Sequence, residues 1–178
     1  FDETVQRAVH RVQSFEQTAR VARWLRAAGI ASLNFDLMYG LPFQTVASVV
    51  RSITMALQLK PDRIALFGYA HVPWMKRHQA LLPTEHLPNA LERLEQMSAA
   101  TAAIIEAGYV AIGLDHFARP DDDLAHLLRQ GRLHRNFQGY TTDEAITLIG
   151  LGTSAISRLP QGYAQNASST VDYRSAIA

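Results

Sequence analysis

Residues 32–42, Ser32-Leu33-Asn34-Phe35-Asp36-Leu37-Met38-Tyr39-Gly40-Leu41-Pro42, constrain the fold more than any other stretch. They alternate. Leu33, Phe35 and Leu37 fall on one face of an extended chain, and Ser32, Asn34 and Asp36 on the other. A strand of this kind packs its apolar face under helices and turns its polar face toward something other than an ordinary core. Gly40 and Pro42 then end it in a loop. Residues 45–57 follow, with Val46, Val49, Val50, Ile53 and Leu57 at helical spacing, and Pro61 and Asp62 make a turn. Residues 63–71 read as a second strand, apolar almost throughout, as strands buried on both faces of a parallel sheet are. Strand, helix and strand with short connections form a βαβ unit. Asp36 near the C-terminal end of such a strand occupies the place where parallel α/β folds carry their chemistry. A solvent-facing strand of an antiparallel sheet accounts for it equally well. Two strands do not close a barrel, so the unit belongs to a larger sheet.

Before this unit, residues 1–12 form a short helix, and Ser14 is placed to cap the next one with Gln17 as its capping-box partner. That helix turns Phe15, Ala19, Ala22 and Leu25 inward and ends at Gly29. After it, residues 72–88 are irregular, broken by Pro73, Pro83 and Pro88, with Lys76, Arg77 and His78 as a solvated face. Residues 89–107 form a long amphipathic helix closed by Gly108, and residues 109–114 a short strand. From Asp115 the texture changes, which divides the chain into residues 1–114 and 115–178. The second part holds a helix at residues 124–129 behind the acidic start Asp121-Asp122-Asp123, a polar-aromatic segment at 133–142, and a glycine-punctuated one at 148–156. The chain opens at Phe1 in a helical pattern and stops at Ala178 in another, so a piece cut from a longer protein is expected.

With 48% hydrophobic and 19% charged residues the 178-residue chain is globular rather than disordered. A net charge of +1 gives no reason to expect nucleic acid or an acidic membrane surface. No apolar run approaches the ~20 residues of a membrane span, and no secretory signal pattern is present. The absence of cysteine excludes disulfides and thiolate-held metals within these residues and fits a cytoplasmic protein. The histidines show no HExxH spacing, no Gly-x-Ser-x-Gly elbow is present, and Gly150-Leu151-Gly152-Thr153-Ser154 lacks the lysine of a phosphate loop. Gly150 and Gly152 would let backbone approach a flat ligand, or form a tight packing corner. Residues 136–142 crowd amides, rings and hydroxyls in a way that suits an aromatic, multi-carboxylate ligand, or a plain polar loop.

Several motifs stand in one order: Asn34-Phe35-Asp36-Leu37-Met38-Tyr39-Gly40-Leu41-Pro42, Tyr69-Ala70-His71, and Asp115-His116-Phe117-Ala118-Arg119-Pro120. Arg135-Asn136-Phe137-Gln138-Gly139-Tyr140-Thr141-Thr142 and Gly150-Leu151-Gly152-Thr153-Ser154-Ala155-Ile156-Ser157 follow. Together they resemble the oxygen-independent coproporphyrinogen III oxidases, radical S-adenosylmethionine enzymes of haem synthesis, over nearly the whole chain. The resemblance implies an α/β fold: the later part of a partial (β/α)6 TIM-like barrel, followed by α+β elements. It implies oxidative decarboxylation of two propionates of coproporphyrinogen III to the vinyls of protoporphyrinogen IX. The radical in that family comes from S-adenosylmethionine reduced by a 4Fe–4S cluster, with two S-adenosylmethionine molecules in the site. Carried over by position, Arg11, Asp36 and Ala70 line the second of these and Ile156 the first. Asp36 can accept from hydroxyls or pair with the ammonium, and Arg11 can clamp the carboxylate.

Phe137 and Gln138 are candidates for the substrate side. Arg119 and Arg135 are candidates for a propionate, with an ion pair from Arg119 to Asp121 or Asp122 as the competing role for that residue. The cluster needs three cysteines that this chain lacks, so its ligands are expected outside residues 1–178, and these residues alone are expected to be inactive and poorly soluble. An unidentified electron donor and a monomeric state are also expected. A haem-binding chaperone or a cluster-lacking paralogue is the alternative.

Overall fold

The computed structural model describes residues 1–137 and 139–178. Contacts divide it into two compact units, Phe1–Leu128 and Arg129–Ala178.

In the first unit the expected order of elements is present. Helix α1 (Glu3–Ala8) is capped by Asp2, and α2 (Phe15–Ala27) by Ser14, whose hydroxyl accepts from Gln17 N. Strand β1 (Asn34–Tyr39) leads to α3 (Val46–Gln58) and β2 (Arg63–Gly68), with β1 and β2 parallel and in register from Asn34↔Arg63 to Tyr39↔Gly68. Two short 3-10 turns, Arg77–Leu81 and Thr84–His86, interrupt the irregular stretch before α4 (Ala90–Glu106). Full capping boxes close the starts of α3, through Thr45 and Ser48, and α4, through Asn89 and Glu92. Each such cap satisfies amides that the helix itself leaves open and is worth roughly 1 kcal/mol. Gly29 and Gly108, at φ +84° and +89°, take the left-handed conformation after α2 and α4.

Strand β3 (Val110–Gly113) is followed at once by β4 (His116–Ala118), and the sheet order is β1-β2-β4-β3. β4 runs antiparallel to both neighbours, so the sheet is mixed beyond the parallel β1–β2 pair. β4 fills the middle of this sheet, and the first compact unit runs on to Leu128, within α5 (Asp123–Arg129). One sheet face carries the core: Val49, Ile53, Ile64, Leu66, Ala100, Ile104 and Phe117 are buried together, with Leu37 and Tyr39 against them. α2 departs from expectation in one residue. Ala19 and Ala22 are buried, but Leu25 is 40% exposed and Trp24 63% exposed.

The second unit is built from two hairpins and a helix. β5 (His134–Asn136) pairs with β6 (Gly139–Thr141), and β7 (Ile156–Leu159) with β8 (Gly162–Gln165), both antiparallel. α6 (Thr170–Ile177) is capped by Ser169.

Candidate functional site

β1 divides its side chains as its alternation requires. Phe35, Leu37 and Tyr39 are half-buried toward the helices, while Asn34, Asp36 and Met38 are exposed on the opposite face. The register continues that open face across the sheet: Asp36 lies opposite Ala65, Ala65 opposite His116, and Met38 opposite Phe67. Met38 and Phe67 are 44% and 37% exposed, and the Phe67 and His116 rings meet edge-on at 6.0 Å. Asn34 Nδ2 donates to Asp36 Oδ1 at 2.7 Å, which orients the carboxylate along the open face without neutralising it. On this face Met38 and Phe67 are exposed apolar groups and Asp36 an oriented carboxylate, while Ala65 between them is 2% exposed.

The loop that ends β1 is held from beneath. Gln96, 1% exposed on α4, accepts from Gly40 N through Oε1 and donates to the Gln44 carbonyl through Nε2, both at 2.9 Å. Gln44 in turn accepts from Leu41 N at 2.8 Å and donates to the Met38 carbonyl at 3.0 Å. Gly40 stands at φ +83°, and an added Cβ there would meet the Arg93 guanidinium at 3.3 Å. The positive φ is what favours glycine there, since the Arg93 side chain can shift to relieve the contact.

Ala70 is exposed just beyond the end of β2, after a last ladder bond from Tyr69 N to the Tyr39 carbonyl at 2.8 Å. The Tyr69 hydroxyl lies 2.9 Å from His71 Nδ1, and burial pushes its pKa up, so it stays a neutral hydroxyl. Arg11 is exposed in the loop after α1, its amide donating to the Gln6 carbonyl at 2.9 Å. Asp36 and Ala70 thus belong to the adjacent parallel strands β1 and β2, near and just past their C-terminal ends.

In the second unit, Ile156 opens β7 half-buried. The competing accounts of Gly150 resolve toward a packing corner, since a Cβ there would stand 2.8 Å from the Ile156 carbonyl carbon and oxygen. Gly150 N donates to Ser157 Oγ at 3.0 Å, and Asn166 Nδ2 donates to the Gly150 and Gly152 carbonyls at 3.1 and 2.9 Å. This loop holds Ile156 at fixed backbone geometry. The Phe137 ring is 38% exposed and meets Tyr163 edge-on at 6.5 Å. Gln138 lies outside the described residues. The Arg135 guanidinium stands 5.7 Å over the Tyr140 ring. Arg119 makes a two-pronged pair with Asp121, 3.0 Å on each side, and this holds the Asp121 carboxyl below its ordinary pKa. Asp122 instead accepts from Arg63 at 2.9 Å. The pair of Arg119 with Asp121 is exposed rather than buried, because both residues sit on the turn before α5.

The Asp36 carboxylate can accept hydrogen bonds from hydroxyls or pair with a cation, and Ala70 admits backbone contact without an intervening side chain. Nothing in the chain suits a thiolate-held cluster, because cysteine is absent.

No family model matches the chain. It is 57% identical over 166 residues to an oxygen-independent coproporphyrinogen III oxidase of Bradyrhizobium diazoefficiens, matching 93% of this chain and 37% of that one. It is 52% identical over 170 residues to the same-named protein of Paracoccus denitrificans, matching 96% and 38%. Among solved structures, coproporphyrinogen III oxidase from Escherichia coli, described as a radical SAM enzyme, superposes with a TM-score of 0.96 at 41% identity. That match covers 99% of this chain and 41% of the other. The chain therefore spans somewhat more than a third of the length of these relatives. Its fold is that of the later part of a radical S-adenosylmethionine barrel with α+β elements following, and over the matched residues the chain belongs to the family of oxygen-independent coproporphyrinogen III oxidases.

Proposed function

We propose that the protein containing these residues converts two propionates of coproporphyrinogen III to vinyl groups, forming protoporphyrinogen IX in haem biosynthesis. The observation that carries the reading is the open face of β1 and β2, an oriented, exposed carboxylate beside the exposed Met38 and Phe67, in a chain of this family. When bound, S-adenosylmethionine supplies the hydrogen-abstracting radical, after reduction at a 4Fe–4S cluster whose ligands lie outside this chain's residues. The role of residues 1–178 is to bind and orient.

Asp36 accepts hydrogen bonds from the ribose diol or pairs with the ammonium of one S-adenosylmethionine. Arg11 holds its carboxylate, Ala70 meets it through backbone, and Ile156 covers the other S-adenosylmethionine, the first of the two. Phe137 contributes an exposed ring for the tetrapyrrole, and Gln138 is assigned to the same side. Arg135, whose charge is not committed to a carboxylate in the described ion pairs, is a better partner for a propionate than Arg119, which Asp121 already holds. We further assign the protein to the cytoplasm as a monomer fed by an external electron donor. Among the described residues no helix is long and apolar enough to cross a membrane.

The test is anaerobic reconstitution of the full-length chain with iron and sulfide, followed by an assay for protoporphyrinogen IX. Formation dependent on S-adenosylmethionine supports the reading. Haem binding without turnover in a reconstituted protein would replace it with a chaperone role.

A further inference from the structure

In the first unit, backbone segments that carry or adjoin the assigned ligand positions are fixed by one repeated device. A glutamine side-chain amide spans a backbone N–H and a backbone C=O, as a neighbouring strand would. Gln6 donates to the Gln13 carbonyl at 2.7 Å and accepts from Gln13 N at 3.0 Å, closing the loop that holds Arg11. Gln44 does the same between Leu41 N and the Met38 carbonyl, at the end of the strand that carries Asp36. Gln79 accepts from Val72 N at 2.6 Å and donates to the Ala70 carbonyl at 3.0 Å.

The third case is the most telling, because the sheet no longer holds this segment. β2 ends at Gly68 and the final ladder bond is made by Tyr69, so Ala70 lies beyond regular structure. Gln79 itself sits on a 3-10 turn whose surroundings are solvent-facing: Trp74, Met75 and Leu81 are 76%, 72% and 74% exposed. None of the buried core residues comes from this turn. An amide placed there adds little to the stability of the unit, yet it fixes the direction of the Ala70 carbonyl. A glutamine accomplishes this where a charged residue cannot, since it presents one donor and one acceptor at once.

We propose that Gln79 is a positioning residue for S-adenosylmethionine, presetting the Ala70–Val72 backbone through its two hydrogen bonds. The proposal rests on the assignment of Ala70 to that ligand. With the clamp in place one lone pair of the Ala70 carbonyl is committed to Gln79 and its peptide plane is set. The ligand then meets a preorganised edge instead of a mobile one, and binding loses less to ordering.

The test is equilibrium dialysis of labelled S-adenosylmethionine against the full-length, cluster-reconstituted chain, with Gln79→Ala and Gln79→Glu. Gln79→Ala removes both bonds and is expected to weaken one binding site on the order of tenfold, with unchanged thermal unfolding. Gln79→Glu keeps the acceptor for Val72 N but sets a carboxylate against the Ala70 carbonyl. At about pH 8 it should bind at least as weakly as Gln79→Ala, because the ionised carboxylate offers the Ala70 carbonyl no donor. Wild-type affinity in Gln79→Ala, or in Gln79→Glu at about pH 8, overturns the proposal. A wild-type chain that binds no S-adenosylmethionine overturns the functional reading itself, which separates the two failures.

Discussion

Replacing Gly150 by alanine isolates the packing of the loop that sets Ile156. The glycine's φ is not in the left-handed region, so the backbone itself tolerates alanine, and the effect is steric. The new methyl would stand 2.8 Å from the Ile156 carbonyl carbon and oxygen and 2.9 Å from its nitrogen. Ordinary contact begins near 3.4 Å, so about 0.6 Å must be opened between residue 150 and β7. The neighbour is strand backbone, which cannot rotate away as a flexible side chain would, and residue 150 is itself tied through its N–H to Ser157 Oγ and through its carbonyl to Asn166. Overpacking of this kind costs about 1–3 kcal/mol. Against it stands the smaller unfolded-state entropy of alanine, worth about 0.4–1 kcal/mol. The steric effect wins, and a net loss of roughly 1–2 kcal/mol is expected. Urea unfolding of the full-length chain, followed by a probe on this unit, reads it. Gly152→Ala is the control, where nothing lies within 4 Å and only the φ of +98° opposes the change. If Gly150→Ala proves as stable as the parent or more so, the corner does not fix Ile156 and its assignment loses its structural basis.

Three other outcomes follow from the same geometry. Gln96→Leu keeps volume but strands Gly40 N and the Gln44 carbonyl, the first of them fully buried, and should lower stability by about 2–4 kcal/mol in denaturant titrations. A loss below the error of the titration would show that the loop satisfies these groups elsewhere. Ile53→Ala, at a site 1% exposed in the centre of the core, should cost about 2–5 kcal/mol by the same measurement. Burial raises the pKa of both Tyr69 and Tyr109 above 10.0, so above that pH the unfolded chain releases a proton that the folded chain keeps. Stability is then full below about pH 10 and falls as pH rises through the folded values, by up to about 1.4 kcal/mol per pH unit for each tyrosine. Tyr69→Phe should flatten this slope in unfolding measurements, and an unchanged slope would contradict it.

The sequence was most legible where local rules act alone. Ser14 caps α2 because its oxygen reaches an amide of the first turn, and Gly29 and Gly108 end helices because they accept positive φ. β1 and β2 showed in alternation and continuous apolarity. The short strands did not. β4 and both strands of the β5–β6 hairpin have only three residues, and β8 is exposed at every position, so neither length nor an apolar face distinguishes them from loop. The insertion of antiparallel β4 beside β2 is a tertiary choice that no local pattern encodes, and the first unit runs on past it to Leu128. The expected box partner of Ser14 was Gln17, but full boxes form at Thr45 with Ser48 and Asn89 with Glu92. The glutamine clamps were invisible for another reason: Gln96 meets Gly40 across 56 positions, and glutamine carries no positional signature. For the site, Asp36 and Ala70 are assigned by the family resemblance, while the side chains that hold their backbone show only in the folded chain.

The central claim is that the open face of β1 and β2 binds S-adenosylmethionine through Asp36. Its most direct test is the binding stoichiometry of labelled S-adenosylmethionine in the full-length, anaerobically reconstituted chain and in Asp36→Ala. Asp36 is exposed and outside the core, so the variant should unfold like the parent. The account predicts two equivalents bound by the parent and one by Asp36→Ala, with turnover abolished. Two equivalents and near-normal turnover in Asp36→Ala would contradict it.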